Sequence, residues 1–169
     1  LNGGAGKDTI TIAGGNDTVD GGAGNDKVIL AVANLSILDT IAGGEGSDTL
    51  NFTDDVVFAT VATKLTNVSG FEKILMANDK DVTLTDNSVT LLGSTGVTVN
   101  RANGSNTSFV NASGVNGSTL TITADGSSQT GSGGFDYTAG LAIDAYTGTK
   151  NADTVTIGDS LKLASTDSF

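Results

Sequence analysis

Residues 3–29 read GGAGKDTITIAGGNDTVDGGAGNDKVI, which divides into the three nonapeptides GGAGKDTIT, IAGGNDTVD and GGAGNDKVI. Each nonapeptide has glycines ahead of an aspartate at its sixth position and an aliphatic residue two places after that aspartate. A repeat at a short fixed period indicates a fold made of stacked similar units. The fold of this chain therefore depends on how successive nonapeptides stack.

The aspartate signal continues beyond the quoted stretch. An aspartate followed two places later by Ile, Val or Leu recurs at spacings of 9, 9, 13 and 9 residues. The spacing of 13 reads as 9 plus four residues inserted within 30–33, after which GGEGSDTLN at 43–51 restores the full pattern. The aspartates of the series are Asp8, Asp17, Asp26, Asp39 and Asp48.

One nonapeptide predicts a turn followed by a short strand. Its first six residues turn, because glycine permits a positive φ or a close backbone approach that a Cβ would obstruct. Its last three residues form a strand, with Ile10 pointing inward and the flanking threonines outward. If two nonapeptides complete one coil, residues 3–11 lie beneath residues 21–29 at a strand spacing of about 4.7–4.9 Å.

Stacked turns of this kind predict a site for a hard cation. Calcium takes about 6–8 oxygen ligands from carbonyls and carboxylates in flexible geometry, whereas magnesium needs a tighter octahedron and keeps its water. The chain has no His and no Cys for zinc or copper. The candidate calcium ligands are Gly3, Gly4, Ala5, Gly6, Asp8, Gly14, Gly15, Asp17, Gly21, Gly22, Ala23, Gly24, Asp26, Asp39, Gly43, Gly44, Glu45, Gly46 and Asp48.

The spacing also predicts which aspartates face each other. Asp8 and Asp26 share one side of the coil, and Asp26 and Asp48 share the same side across the enlarged coil. We expect strong sites at these two pairs. Asp17 and Asp39 share the other side, where glycines are fewer, and we expect a weak or absent site there.

The pattern G-G-x-G-x-D-x-U-x, where U is aliphatic, resembles the calcium-binding nonapeptide of RTX proteins. Residues 3–11, 21–29 and 43–51 match fully, residues 12–20 depart at their first two positions, and residues 34–42 keep only the Asp and the Ile. The resemblance covers residues 3–51. It implies a right-handed parallel β-roll with calcium in its turns, in a protein exported unfolded by a type I secretion machine of a Gram-negative bacterium.

Beyond residue 51 the pattern changes. Residues 52–80 look like a connector. Within it, the sequence of residues 65–78 is compatible with either a helical turn or an irregular segment. Residues 81–169 show alternating aliphatic pairs between turns, which fits a sandwich or a solenoid with irregular loops; we favour the solenoid. Degenerate repeats occur at 131–139 and 148–156. The pairs are Val82/Leu84, Val89/Leu91, Val97/Val99 and Leu120/Ile122.

Composition and charge exclude several partners. The 19 acidic and 8 basic residues give a net charge of −11, which argues against nucleic acid and against an anionic membrane surface. No apolar run approaches the roughly 20 residues of a membrane helix. Without cysteine there is no disulfide framework. Because the chain lacks a starting Met and a leader pattern, we expect a mature or excised piece.

Catalytic motifs are missing from the sequence. It has no His, no Cys and no G-x-S-x-G elbow, and most of its acids already have a place in the repeat. The stretch GAGKDT at 4–9 lacks the spacing of a phosphate-binding loop, because Asp8 separates Lys7 from Thr9. We therefore expect a protein that is not an enzyme.

The expected function follows from the repeat and from a resemblance in composition. The Thr-, Asn- and Gly-rich strand pairs resemble β-solenoid segments of RTX-type surface-layer proteins and large adhesins. We expect an all-β, calcium-stabilised segment of a secreted bacterial surface-layer protein that associates with other copies at the cell surface. The alternatives are a segment of an RTX adhesin, or the calcium-folding carrier region of a secreted enzyme.

Overall fold

The computed structural model describes residues 1–77, 79–85, 96–101, 104–115, 121–127, 131–139 and 143–157 of the chain. These residues contain a 3-10 helix at Val32–Asn34 and one short α-helix, α1, at Phe58–Val61. All other elements described there are strands: β1 Asn2–Ala5, β2 Thr9–Thr11, β3 Thr18–Ala23, β4 Lys27–Leu30, β5 Thr40–Ala42, β6 Thr49–Phe52, β7 Val56–Val57, β8 Val68–Ser69, β9 Lys73–Met76, β10 Val82–Thr85, β11 Gly96–Arg101, β12 Ser108–Gly114, β13 Thr121–Asp125, β14 Phe135–Ala139, β15 Ile143–Thr147 and β16 Val155–Ile157.

The strands form three parallel sheets. The long sheet has the order β15-β13-β11-β9-β6-β4-β2, the N-terminal sheet β1-β3-β5-β8, and the C-terminal sheet β16-β14-β12-β10-β7. Neighbours in each sheet are strands from successive coils, which is the arrangement of a β-solenoid. The prediction of an all-β parallel solenoid is confirmed.

The register confirms that two nonapeptides make one coil. Asp8 and Asp26 are equivalent positions 18 residues apart, and Asp26 and Asp48 are 22 residues apart. The inserted residues of the longer coil lie between β4 and β5, where the 3-10 helix forms. In the C-terminal sheet, equivalent positions of successive coils are 28 residues apart at Asp81 and Phe109. They are again 18 residues apart at Asp136 and Thr154.

The core is a set of aliphatic columns that run along the solenoid axis. In the long sheet Ile10 pairs with Val28, Val28 with Leu50, Leu50 with Ile74, and Ile74 with Val99. The last four are buried, and their strands alternate buried with partly buried residues. Burying such a side chain stabilises the fold by about 1.5–3 kcal/mol.

Residues 52–80 add a third face to the coil. After β6 the chain forms β7 and α1 before it returns through β8 to the N-terminal sheet. Phe58 of α1 is buried edge-on against Phe52, with ring centroids 5.8 Å apart. Residues 65–77 contain β8 and β9. The sequence alone had not decided between a helical turn and an irregular segment for this stretch.

The C-terminal coils have an aromatic core. Tyr137 pairs with Val155 and is fully buried, so an aromatic residue occupies the inward position that aliphatic residues have in the N-terminal coils. Tyr146 stacks against Tyr137 with ring centroids 5.8 Å apart. Of the predicted strand pairs, Val82/Leu84 lie in β10 and Val97/Val99 in β11, all four buried; Val89/Leu91 and Leu120 lie outside the described residues.

The described helices, Val32–Asn34 and Phe58–Val61, are short. In the part of the chain that the structure describes, none has the length and apolar character needed to cross a bilayer.

Candidate metal centre

The main candidate site is a column of carboxylates on the turns that join the N-terminal sheet to the long sheet. These turns, residues 3–8, 21–26 and 43–48, are called the Asp turns. Oδ1 of Asp26 accepts a hydrogen bond from the backbone N–H of Asp8 at 2.8 Å. Oδ1 of Asp48 accepts one from the N–H of Asp26 at 2.7 Å. The predicted pairing of these aspartates is therefore present.

A fourth carboxylate extends the column. Oε2 of Glu72 accepts a hydrogen bond from the backbone N–H of Asp48 at 2.9 Å. Glu72 was not among the predicted ligands, because its turn has lost the nonapeptide pattern. The signal that could have found it is its position just before β9, which corresponds to the position of Asp48 before β6.

The second oxygen of each aspartate in the column has no partner. Oδ2 of Asp8, Asp26 and Asp48 is buried and accepts no hydrogen bond from the described residues. Asp26 is only 2 % exposed and Asp48 is fully buried. An unsatisfied buried polar group costs about 1–3 kcal/mol, and a charged one costs more. Three such groups in one column are expensive unless something positively charged binds them.

Each unpartnered oxygen lies close to a carbonyl of the next turn. A Cβ placed on Gly3 would stand 2.9 Å from Oδ2 of Asp8 and 2.4 Å from the carbonyl oxygen of Gly21. A Cβ on Gly21 would stand 2.8 Å from Oδ2 of Asp26 and 2.1 Å from the carbonyl oxygen of Gly43. Because the first glycine of each Asp turn has no Cβ, a carboxylate oxygen of the same turn and a carbonyl oxygen of the next turn can both come close to it.

The other glycines of the Asp turns serve the backbone path. Gly22 and Gly24 have φ of +100° and +136°, which residues with a side chain rarely adopt. A Cβ on Gly24 would also stand 1.7 Å from the carbonyl oxygen of Gly6 in the coil below. These glycines let the turns stack at strand spacing.

The predicted backbone ligands of the three Asp turns stack on one another in register. Gly4 pairs with Gly22, Ala5 with Ala23, and Ala23 with Glu45. The stacked layers are Gly3, Gly4, Ala5 and Gly6; Gly21, Gly22, Ala23 and Gly24; and Gly43, Gly44, Glu45 and Gly46.

The electrostatics of the column are those of crowded acids. Burial raises the pKa of Asp48 above its ordinary value, and the charges of Glu72 and Asp26 raise it further. The hydrogen bond from the Asp26 backbone and the nearby charge of Lys73 act in the opposite direction. Since burial is the largest cause, this carboxylate is short of favourable contacts for its charge.

The other side of the coil is built differently. Oδ1 of Asp39 accepts the N–H of Asp17 at 2.9 Å, and its Oδ2 accepts the N–H of Ser36 at 2.8 Å. Oδ2 of Asp17 is buried without a partner among the described residues. A Cβ on Gly14 would meet nothing nearer than an Asn34 oxygen at 3.9 Å, so no carbonyl approaches as it does at Gly3. Gly15 has a φ of +139° and open space beside it. The expectation of a weak or absent site on this side stays a prediction.

Other acids that the repeat did not include bind backbone N–H groups. Oδ1 of Asp55 accepts the N–H of Asp81 at 3.0 Å, and Oδ1 of Asp81 accepts that of Phe109 at 2.8 Å. Both oxygens of Asp54 and one of Asp79 also accept backbone N–H groups. Through these hydrogen bonds, each carboxylate connects one coil to a neighbouring coil.

The acidic side chains of the column are spread out and not clustered. Within the described ranges, no group of three or more His, Cys, Asp or Glu side chains converges on one point. The carboxylates are spread along the axis, one to a coil, so an ion here would need backbone carbonyls to complete its shell. Unpartnered carboxylate oxygens beside carbonyls are the donor set that calcium prefers. The residues present fit such an ion.

Comparison of the chain with family models, with curated proteins and with solved structures finds no match. The assignment of function therefore depends on the residues themselves.

Proposed function

We propose that this chain is a calcium-stabilised structural segment of a secreted bacterial surface protein of the RTX type, most simply a surface-layer protein. One observation carries the calcium part: each aspartate of the column buries an oxygen that the described residues leave unpartnered. The same oxygen and a carbonyl oxygen of the next turn both lie within 2.9 Å of the position that a Cβ would take on the first glycine of the Asp turn.

Calcium would be held by residues of adjacent Asp turns. Asp8 with the Gly21 carbonyl, and Asp26 with the Gly43 carbonyl, are the pairs that would contribute oxygens. When bound, the ion would supply the positive charge that the column lacks. The chain's own residues keep the oxygens in place, because Oδ1 of Asp26 and of Asp48 is fixed by a backbone N–H of the turn below.

Calcium binding and folding would be linked. The Asp turns are half glycine, which loses the most backbone entropy on folding. An ion that binds only the folded turns contributes about 2.7 kcal/mol when its concentration is 100 times Kd. The coils that carry the Asp turns are then poorly ordered where calcium is scarce, as in a cytoplasm, and order where calcium is plentiful.

The proposed surface-layer role is supported by the repeated architecture and by the composition of the strands. The solenoid repeats one unit along an axis, and such segments present sheet edges that can pair with another chain. The Thr-, Asn- and Gly-rich strands resemble those of RTX-type surface-layer proteins.

The decisive experiment is a calcium titration of the chelated chain followed by far-UV circular dichroism, with magnesium as the matched control. We expect a cooperative gain of β-signal with calcium and little with magnesium. A β-signal after chelation that equals that of the calcium-loaded chain and does not respond to calcium would contradict the proposal.

The assembly part has its own test. Light scattering and negative-stain microscopy of the calcium-loaded chain are expected to show ordered arrays. A calcium-loaded chain that stays monomeric at high concentration would favour the adhesin or carrier alternatives over the surface layer.

A further inference from the structure

The column of carboxylates continues past the last nonapeptide. After β8 the chain reaches β9 through Gly70, Phe71 and Glu72 alone, where the Asp turn below has the six residues 43–48. Register holds on both sides of this short turn, because Ala42 pairs with Ser69 and Thr49 with Lys73. The short turn therefore stacks on a full Asp turn although its sequence no longer resembles one.

The space beneath this short turn has the same components as the two spaces already described. A Cβ on Gly43 would stand 2.9 Å from Oδ2 of Asp48 and 2.0 Å from the carbonyl oxygen of Gly70. Gly70 thus takes the role that Gly21 and Gly43 have in the coils below. Oδ2 of Asp48 is buried and accepts no hydrogen bond from the described residues, and the Asp48 residue is fully buried.

Glu72 takes the place of the next aspartate. Its Oε2 accepts the N–H of Asp48 at 2.9 Å, as Oδ1 of Asp48 accepts the N–H of Asp26 at 2.7 Å. The turn that carries Glu72 is three residues shorter, and glutamate has one more methylene than aspartate. The longer side chain lets a carboxylate reach the same hydrogen bond from a shorter turn.

We propose that a further divalent cation, of the calcium class, binds between the Asp turn 43–48 and the short turn 70–72, held by Asp48, Glu72 and the Gly70 carbonyl. This inference rests on the proposed function and deepens it, because it adds a site at which two of the three ligands, Glu72 and the Gly70 carbonyl, lie outside the nonapeptides. The site closes the cation row with a glutamate in place of an aspartate.

The row ends here because the next coil has no acid at the position above Glu72. Thr98 pairs with Lys73, and its N–H donates to the Glu72 carbonyl oxygen at 2.9 Å. The residue above Glu72 is therefore Val97, which is only 3 % exposed and packs into the core. An apolar side chain at this position closes the column from above.

The test counts calcium ions on the full chain. Equilibrium dialysis and native mass spectrometry at saturating calcium would be compared for the unaltered protein, Glu72→Gln and Asp20→Asn. Glutamine keeps an oxygen for the Asp48 N–H but removes the charge. Asp20 is exposed on β3 and outside the turns, so Asp20→Asn is the charge-matched control. We expect Glu72→Gln to bind one ion fewer, and Asp20→Asn to bind as many as the unaltered protein.

Two results would overturn the inference. One is an unchanged count with unchanged affinity for every ion in Glu72→Gln. The other is loss of every ion, since Glu72 would then act through the fold of the whole roll. Circular dichroism at saturating calcium verifies folding. If Glu72→Gln does not fold, Glu72→Asp replaces it, and we expect the last ion to bind more weakly while the others are unaffected; equal binding of all ions would count against the site.

An unaltered chain that binds no calcium at all is a different failure. That result would remove the proposed function itself, whereas normal binding with an unaffected Glu72→Gln variant removes only this further site.

Discussion

The turn that contains Asp26 and the turn that contains Asp153 begin from the same geometry. A glycine five residues before each aspartate leaves space for the carboxylate: a Cβ on Gly21 would stand 2.8 Å from Oδ2 of Asp26, and one on Gly148 would stand 2.6 Å from Oδ2 of Asp153. In both turns Oδ1 accepts a backbone N–H from 18 residues earlier, at 2.8 Å and 2.7 Å. The N-terminal and C-terminal regions therefore share one type of aspartate turn.

The turns differ in the residue that follows the glycine. At the C-terminal turn this residue is Thr149, whose N–H donates to Oδ2 of Asp153 at 2.7 Å and whose hydroxyl donates to Oδ1 at 2.9 Å. At the N-terminal turn it is Gly22, and Oδ2 of Asp26 has no donor among the described residues. Gly22 also has a backbone N–H, so the difference at Oδ2 lies in the backbone path, with a φ of +100° at Gly22, and the threonine hydroxyl adds a donor to Oδ1 only.

The largest expected effect is that calcium removal destabilises the N-terminal coils much more than the C-terminal coils. Chelation of calcium should lower amide protection of β2, β4 and β6 by roughly 100-fold, the factor that corresponds to about 2.7 kcal/mol of binding. Strand β14, beside the Asp153 turn, should change far less. Hydrogen exchange with mass spectrometry measures both regions in one sample. Equal loss in both regions would break the comparison, because the chain would then unfold as one unit.

Gly21→Ala should have the next largest effect. Its Cβ would stand 2.1 Å from the Gly43 carbonyl oxygen, which is backbone and cannot move aside. We expect a loss of about 3 kcal/mol or more in the calcium-loaded state, at the upper end of overpacking effects. Gly14→Ala is the matched control, because its nearest neighbour would be 3.9 Å away. Urea unfolding in calcium measures both variants, and equal midpoints would contradict the close stacking of the Asp turns.

Asp26→Asn and Asp153→Asn should differ in sign once calcium is removed. Asp26→Asn removes a buried charge whose Oδ2 has no partner among the described residues, so it should stabilise the chelated protein and destabilise the calcium-loaded protein. Asp153→Asn weakens hydrogen bonds to protein donors, so it should cost about 1–3 kcal/mol with or without calcium. Thermal unfolding at several calcium concentrations measures the pattern. Parallel curves for the two variants would show that the two turns work alike.

Asp39→Asn should have the smallest effect. Both carboxylate oxygens of Asp39 already accept backbone N–H groups, so asparagine loses only one of the two hydrogen bonds. We expect a cost of about 1 kcal/mol and no change in the number of bound calcium ions. A titration calorimetry experiment that showed fewer ions would place a real site on this side of the coil.

The sequence predicted the parts of the structure that depend on period. Two nonapeptides to a coil follow from their length, and the alignment of Asp26 with Asp48 follows from reading the spacing of 13 residues as an insertion that keeps phase. Parallel strands with inward aliphatic residues follow from the position of Ile10 and Val28 in the repeat.

The parts that depend on exact stacking could not be read from the repeat. Glu72 replaces an aspartate only because its turn is shorter, and a length difference of that kind leaves no motif. The third face at β7 comes from a long insertion whose residues look like a connector. Asp153 carries the aspartate signal, but its oxygens accept hydrogen bonds from Thr149 and from the Phe135 N–H, and no spacing reveals these donors.

The long sheet has a mechanical consequence. Along its described strands, each strand hydrogen bonds only to the one before and the one after it, and these bonds run along the solenoid axis. A force that stretches the protein from end to end loads the rungs in series, so every rung carries the full tension. The weakest rung sets the force at which the segment yields, and the remaining coils then release their length one at a time.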